Sequence, residues 1–494
     1  MNEQEYANIA AACDRLLRAP GLSLARLAIP VLHVVNEHPG SLAQYAPLLT
    51  GQAENPFDHT PRTALRVARG LARALTSPGR HPGFQSPIDV VIVSHLSNPA
   101  QLDQENDFYF GALQTLLQER GVSSLLVLID HLPTPLRAQP TSTFPLPRML
   151  LPRVIGAARE ASVWRQCLSA SRRLRHEAQI AQSAIGRGVA MLASRHALSA
   201  STAINLRMHA SLCDILQALN PKIVMTTYEG EGAERLIWHA ARTARRLPVC
   251  VGYQHARLLK RAHAIRRPVG AVGIECDPDV VLTLGEIPHA TLAASAELGA
   301  VRFIEYGSHR RSPPVDLPPT QHRPRQCLVL PDADDLECIA LFEFALACAR
   351  QRPDIRFALR PHPIVDTRSL MRRHQTLQQL PGNVSLSVDK PLAQEFAQAR
   401  YCLYRGSSAA MHAVLAGIKP FYLARPGELP CDTLFELTDW REIVTSPQDL
   451  TTRMSIADQS RDSAAARRAS GICERYVSPI RSGAIDELLE VVPR

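Results

Sequence analysis

Two successive α/β units, each a parallel sheet wrapped by helices, are what this sequence predicts, and three observations carry the expectation. Short β-branched and apolar runs alternate with helical stretches from Val90 onward, which is the rhythm of a parallel sheet. A stretch holding Pro313, Pro314, Pro318, Pro319 and Pro324 interrupts the alternation, which resumes at Gln326; such composition punctuates a chain between domains. A chain of 494 residues exceeds one ordinary domain, and its 46% apolar and 20% charged content is that of a globular protein.

Residues 1–84 read as a helical N-terminal extension. Helical apolar spacing runs over 9–17 and again over 63–75, broken by Pro39, Pro47, Pro56 and Pro61 and closed by a loop rich in Pro, Gly and His at 77–87. The first α/β unit is expected over 85–311. Its strands fall at 90–93, 124–129, 222–228, 248–253, 280–283 and 301–306, with a helix over 108–119 that Gly121 stops. Residues 132–152 form a proline-rich irregular connection, and about 155–220 is a helical, basic insertion. After a linker at 312–324, the second unit spans 325–446, with strands at 326–330, 355–359, 384–387, 401–404 and 420–423 and helices at 336–351, 393–399 and 408–416. A helical tail over 447–494 carries Arg461, Arg467, Arg468 and Arg475. Two Rossmann-like domains with an N-terminal helical extension and C-terminal helices describe the GT-B architecture, whose ligand lies in a central cleft facing the carboxyl ends of both sheets.

The formal charge of +9, from 55 basic and 46 acidic side chains, favours an anionic partner: a nucleotide, a nucleic acid or an acidic membrane surface. Aromatic content of 5% and the lack of a nucleic-acid module argue against nucleic acid. The 11 cysteines are scattered without CxxC or Cys/His metal spacing, as in a cytoplasmic protein with reduced thiols. No signal-peptide pattern and no run of 18 apolar residues is present, so membrane contact is expected to be peripheral. The cations Arg257, Lys260, Arg261, Arg266 and Arg267 read either as a solvated face or as a dock for an anionic lipid-linked acceptor.

Chemistry-bearing residues gather just past predicted strand ends. Arg360-Pro361-His362-Pro363 follows the strand at 355–359. Two prolines stiffen His362, a candidate phosphate donor or general acid; a plain loop histidine is the rival. Arg405-Gly406-Ser407-Ser408 precedes a helix, where hydroxyls and free N–H groups suit a phosphate, although serine also serves there as an ordinary cap. Arg360 and Arg405 sit at the same edge as candidate phosphate ligands. Glu229 and Glu231 flank Gly230 after the strand at 222–228, as candidate bases for an acceptor hydroxyl or as acids favoured at a helix start. Gln254, His255, His309 and Arg310 are candidate acceptor or cleft residues. Asp332 follows the first strand of the second unit, and Glu428 follows the strand at 420–423 as a candidate for ribose hydroxyls. No metal is assigned to the aspartates at 332, 334 and 335, which read as an acidic helix start.

The segment from Arg360 to Pro363 resembles the HP motif of bacterial sialyltransferases and polysialyltransferases. Ser407-Ser408 resembles their Ser-Ser/Thr motif, and Tyr228-Glu229-Gly230-Glu231-Gly232 loosely resembles their acidic-Gly motif. A wider pattern is similar to bacterial surface-carbohydrate biosynthesis proteins from about residue 24 onward: Ser94-His95-Leu96, Asp107-Phe108-Tyr109-Phe110-Gly111, Tyr228-Glu229-Gly230, Gln254-His255 and Arg405-Gly406-Ser407-Ser408. The resemblance implies that His362, Ser407 and Ser408 meet the phosphate of a CMP-sugar and that an acid of the 229–231 segment is the base. This chain has Glu-Gly-Glu-Gly where the family has two adjacent acids before Gly, which leaves the base open between Glu229 and Glu231.

The expectation is therefore a metal-independent glycosyltransferase without a cofactor. Its donor would be a nucleotide sugar, with a CMP-activated acidic sugar (sialic-acid-like or Kdo-like) favoured, and its acceptor a surface glycan or lipid-linked glycan. Pro363 and Gly406 belong to the expected donor loops. A nucleotide-sugar epimerase, a polyol-phosphate transferase and a non-catalytic scaffold of polysaccharide assembly are the alternatives.

Overall fold

A computed structural model describes residues 1–19, 24–49, 60–76, 87–132, 146–267, 276–310, 317–363, 365–388, 390–459 and 463–491. Its first sheet contains β1 (Val90–Leu96), β2 (Ser124–Asp130), β3 (Arg148–Leu150), β4 (Ile223–Thr227), β5 (Val249–Tyr253), β6 (Val280–Thr283) and β7 (Arg302–Glu305). They are ordered β3-β2-β1-β4-β5-β6-β7, all parallel. The second sheet contains β8 (Gln326–Leu330), β9 (Arg356–Leu359), β10 (Val384–Leu386), β11 (Tyr401–Tyr404), β12 (Lys419–Leu423) and β13 (Glu442–Val444). Its order is β10-β9-β8-β11-β12-β13, again all parallel. The central strands β4, β8 and β11 are buried along their whole length, because helices cover both faces of such sheets.

In each sheet the strand order reverses once, between β1 and β4 and between β8 and β11. Loops leaving the carboxyl ends of those neighbours diverge to opposite faces and open a crevice, the usual ligand position in such sheets. The two sheets are the Rossmann-like halves of a GT-B fold, as the sequence predicts.

Alternation along the strands divides the interior. Val91, Val93, Leu125, Val127 and Val224 face a core shared with helices Glu3–Arg18, Ala157–Ile180, Ala184–His196 and Ala200–Leu219. The extension and the helical insertion of the sequence reading thus form one helical layer on the first sheet. Val90, Ile92, Leu126 and Met225 face a second core that runs on through Leu328, Leu330 and Tyr404 of the other lobe to Cys473, Tyr476 and Ile485 of the tail. The tail returns to the first lobe. Leu258 N–H donates to the Tyr476 hydroxyl at 2.9 Å, Ser308 N–H donates to Ser478 O at 2.9 Å, and Arg120 Nε pairs with Asp486 at 2.6 Å.

The helix expected over 108–119 is confined to Leu113–Gln118. Residues ahead of it form a tight loop because Asp107 accepts the Tyr109 and Phe110 N–H groups, both at 2.8 Å, and Gly111 takes φ +59°. Two edge strands, β3 inside the proline-rich connection and β13 ahead of the tail, escaped the sequence reading; each is three residues long and carries too little pattern. Pro313 and Pro314 of the linker, Arg461 and residues 77–86 of the expected loop lie outside the described residues. Among the described residues no helix is long and apolar enough to cross a membrane.

Candidate functional site

The wall of the first lobe is built at the end of β4. Glu234, in the first turn of helix Gly232–Arg242, is buried and accepts the N–H groups of Glu229 (2.8 Å), Gly230 (2.8 Å) and Glu231 (2.9 Å). These three bonds satisfy the loop and aim its two acidic side chains. The glycines of Glu-Gly-Glu-Gly are there for space: Gly230 has φ +91° and a Cβ would fall 2.5 Å from that of Ala264, while a Cβ on Gly232 would meet Leu27 O. Burial and the neighbouring Glu231 and Glu229 charges push Glu234 well above the usual carboxylate range, and the loop amides pull it back.

Glu229 Oε1 lies 3.0 Å from His255 Nε2, and the Glu229 side chain keeps 37% of its surface open. Crowding would raise its pKa, but the hydrogen bond and charge of His255 hold it below the usual carboxylate range. Glu231 is exposed at the cleft edge, and crowding together with the Glu229 charge raises it to about 7. The His255 ring meets Tyr109 edge-on at 4.9 Å, and its Nδ1 is buried without a hydrogen-bond partner. Behind it, His95 sits between His131 (2.9 Å) and Thr227 (3.1 Å). Burial, His131 and His255 lower its pKa to about 3, so it is neutral at physiological pH.

Arg310 stacks 4.2 Å from the Phe108 ring centroid and 5.2 Å from that of Tyr109, and donates to Phe108 O at 3.0 Å. Burial and Arg310 lower His309 to about 4, and its ring packs where a Cβ on Gly111 would fall. Gln254 is a correction to the sequence reading. Fully buried, it donates to Ala256 O and accepts Leu284 N–H at 3.2 Å, so it ties the ends of β5 and β6 together instead of facing an acceptor.

The opposing wall comes from the loops after β8, β9 and β11. His362 is half-buried; burial lowers its pKa, Asp332 raises it, and Arg310 of the first lobe lowers it again. Glu229 in turn feels Asp332. The Arg310 charge of the first lobe thus reaches His362, and the Asp332 charge of the second reaches Glu229. Arg360 donates to Lys390 O at 2.6 Å and, like the exposed Pro363, flanks His362 in this loop. Gly406 has φ +72°, and a Cβ there would lie 3.0 Å from Asp332 Oδ2. Ser407 is buried, and its carbonyl accepts the Thr433 hydroxyl at 2.9 Å. Ser408 is exposed ahead of helix Ala409–Leu415, and its side chain makes no capping bond, so the plain-cap reading does not hold for its hydroxyl.

Arg405 is also corrected. The Arg405 side chain is 1% exposed and donates to Glu337 at 2.5 Å, to Glu428, and to Leu423 O at 3.2 Å. A guanidinium so deep needs carboxylates around it; the charges neutralise each other and brace the loop. The basic stretch is corrected likewise. Arg257 pairs with Glu436 (2.8 Å) and lies 3.9 Å from the Tyr476 ring centroid, Arg261 pairs with Glu3, and Arg267 pairs with Asp277. Of its five cations Lys260 is exposed, Arg257, Arg261 and Arg266 are half-buried, and Arg267 is buried.

Sequence reasoning missed two residues of this site. Glu234 carried a signal, since Glu231-x-x-Glu234 has capping-box spacing. His38 carried none: it comes from the N-terminal segment, far along the chain, and places Nε2 3.0 Å from Asp332 Oδ2. Among the described residues one buried trio, His38, Glu337 and Cys431, brings donor atoms within 4.8 Å of one another. The Arg405 charge bound to Glu337 opposes a dication there. A separate cavity of about 320 Å³ opens beside Tyr401, Lys419 and Trp440, at the amino ends of β11 and β12 and away from the strand-end loops.

No family model and no curated protein matches this chain. Among solved structures it is similar to the glycosyltransferase SnogD from Streptomyces nogalater, at 15% identity over 82% of this chain and 100% of that one, with a TM-score of 0.43. It is also similar to a UDP-GlcNAc 2-epimerase from Neisseria meningitidis bound to UDP-GlcNAc (12% identity, 82% and 99% covered, TM-score 0.44). A third likeness is to the alpha,alpha-trehalose 6-phosphate synthase from Burkholderia multivorans (12% identity, 82% and 98% covered, TM-score 0.46).

Proposed function

We propose that this chain is a glycosyltransferase of bacterial surface glycan assembly that takes its sugar from a nucleotide donor, with a CMP-activated acidic sugar favoured. The observation that supports the reading is the Glu229–His255 pair at 3.0 Å past the end of β4, together with His362 past the end of β9 within reach of the Asp332 and Arg310 charges. Glu229 stays ionised and takes the proton of the acceptor hydroxyl. The acceptor oxygen forms its bond to the anomeric carbon as the carbon–oxygen bond to the donor phosphate breaks, so the displacement inverts that centre. His362, kept largely neutral by burial, donates its N–H to the departing phosphate, and the Ser408 hydroxyl adds a second donor. Each such donor is commonly worth about 3 kcal/mol of transition-state stabilisation. Glu231, whose carboxyl is raised by crowding and by the Glu229 charge, stands two residues further along the same loop.

A thermal-shift panel of CMP, CDP, UDP, GDP and ADP tests the donor. A ligand at 100 times its dissociation constant stabilises by about 2.7 kcal/mol. Selective stabilisation by CMP is expected. Preference for UDP or GDP would overturn the donor and keep the transferase; silence across the panel would overturn both.

A further inference from the structure

The N-terminal segment is fastened to the first lobe and ends at the donor loops of the second. Glu37, fully buried, accepts the N–H groups of Arg261 (2.7 Å) and Ala262 (3.0 Å). Val34 O accepts Ala264 N–H at 3.0 Å, and His33 Nδ1 accepts from Arg235 at 2.8 Å. The next residue after Glu37 crosses to the other lobe. His38 is 7% exposed, and its Nδ1 accepts Gly40 N–H at 3.1 Å. In the neutral ring the proton therefore sits on Nε2. That atom lies 3.0 Å from Asp332 Oδ2 but off the hydrogen-bond direction, and 3.1 Å from where a Cβ on Gly406 would stand. Asp332 Oδ1 accepts Ala333 N–H at 2.7 Å.

Asp332 Oδ1 is thus engaged by a backbone amide, while Oδ2 rests against the edge of the His38 ring and keeps its lone pairs for a donor outside. A carboxylate so placed recognises hydroxyl donors and repels phosphate. We propose that His38 is a positioning residue of the donor site: it holds the Asp332 carboxylate so that Asp332 accepts a hydroxyl of the nucleotide sugar, on the ribose or on the transferred sugar. The proposal rests on the nucleotide-sugar reading above. It makes the donor site a product of both lobes, because a segment rooted in one sets the specificity of a loop in the other.

Two variants separate this role from a structural one. His38→Asn keeps an N-cap oxygen for Gly40 and loses the reach of Nε2, whereas His38→Gln keeps an N–H near the Nε2 position. Binding of CMP is compared with 2′,3′-dideoxy-CMP for the ribose, and CMP-sialic acid with CMP for the sugar. The wild type is expected to prefer the hydroxyl-bearing ligand about tenfold or more in one arm, as befits a hydrogen bond to a charged group. His38→Asn loses that preference, His38→Gln restores it, and His38→Asn adds nothing on top of Asp332→Asn. The arm that responds identifies the hydroxyl. Wild-type preference in both arms of His38→Asn, or full additivity with Asp332→Asn, overturns the proposal while leaving the transferase standing. A wild type that binds no nucleotide of the panel removes the transferase reading and this inference with it.

Discussion

Replacing Arg405 by Met separates a bracing residue from a phosphate ligand. The guanidinium is 1% exposed, and Glu337, its partner at 2.5 Å, is 4% exposed. Removing the cation leaves a carboxylate buried without its main partner, which costs about 3–5 kcal/mol in comparable sites. Arg425 approaches the other Glu337 oxygen at 3.8 Å and softens the loss, so the expected cost is near the lower end, about 3 kcal/mol. For an α/β unit of this size that lowers the melting temperature by roughly 6–12 °C. Differential scanning fluorimetry on Arg405→Met, Glu337→Met and the pair reads it out. The double variant, which removes both buried charges, is expected to recover most of the loss. A variant that melts like the wild type but no longer binds nucleotide would refute the bracing role and return Arg405 to the phosphate.

Glu229→Gln is expected to lower kcat by about 10²–10⁴ with donor affinity unchanged, whereas Glu231→Gln stays within several-fold; equal losses in steady-state kinetics would reassign the base. Ser408→Ala is expected to change stability by no more than about 0.5 kcal/mol, since its side chain makes no cap bond, while weakening nucleotide binding about five- to tenfold in calorimetric titration. His33, buried beside Arg235, has its pKa lowered to about 3 by burial and then by that guanidinium. The unfolded chain therefore binds a proton that the native state refuses between about pH 6.5 and 3, so stability falls as pH drops through that window, by up to about 1.4 kcal/mol per pH unit. Urea midpoints between pH 7 and 4.5 are expected to show this slope, and His33→Gln to remove about one proton from it.

Much of the scaffold was legible because buried parallel strands are short apolar runs that need no partner to be recognised. Gln326–Leu330 and Tyr401–Tyr404 are strands at the residues the pattern predicted, and the proline stretch separates the two sheets. A motif coincides with a strand end at Glu229 and His362, which lie on the loops leaving β4 and β9. The site was misread at Arg405, Gln254 and the cations from Arg257 to Arg267, where a polar side chain reads the same whether it faces a cleft or a buried partner. Local apolar pattern is enough to set the alternation of strands and helices, and hence the two sheets and the loops on which ligand chemistry falls. The tertiary structure alone decided which polar groups are left over for a ligand. Burial makes every charge seek a partner, and partners such as His38 for Asp332 or Glu337 for Arg405 come from distant parts of the chain.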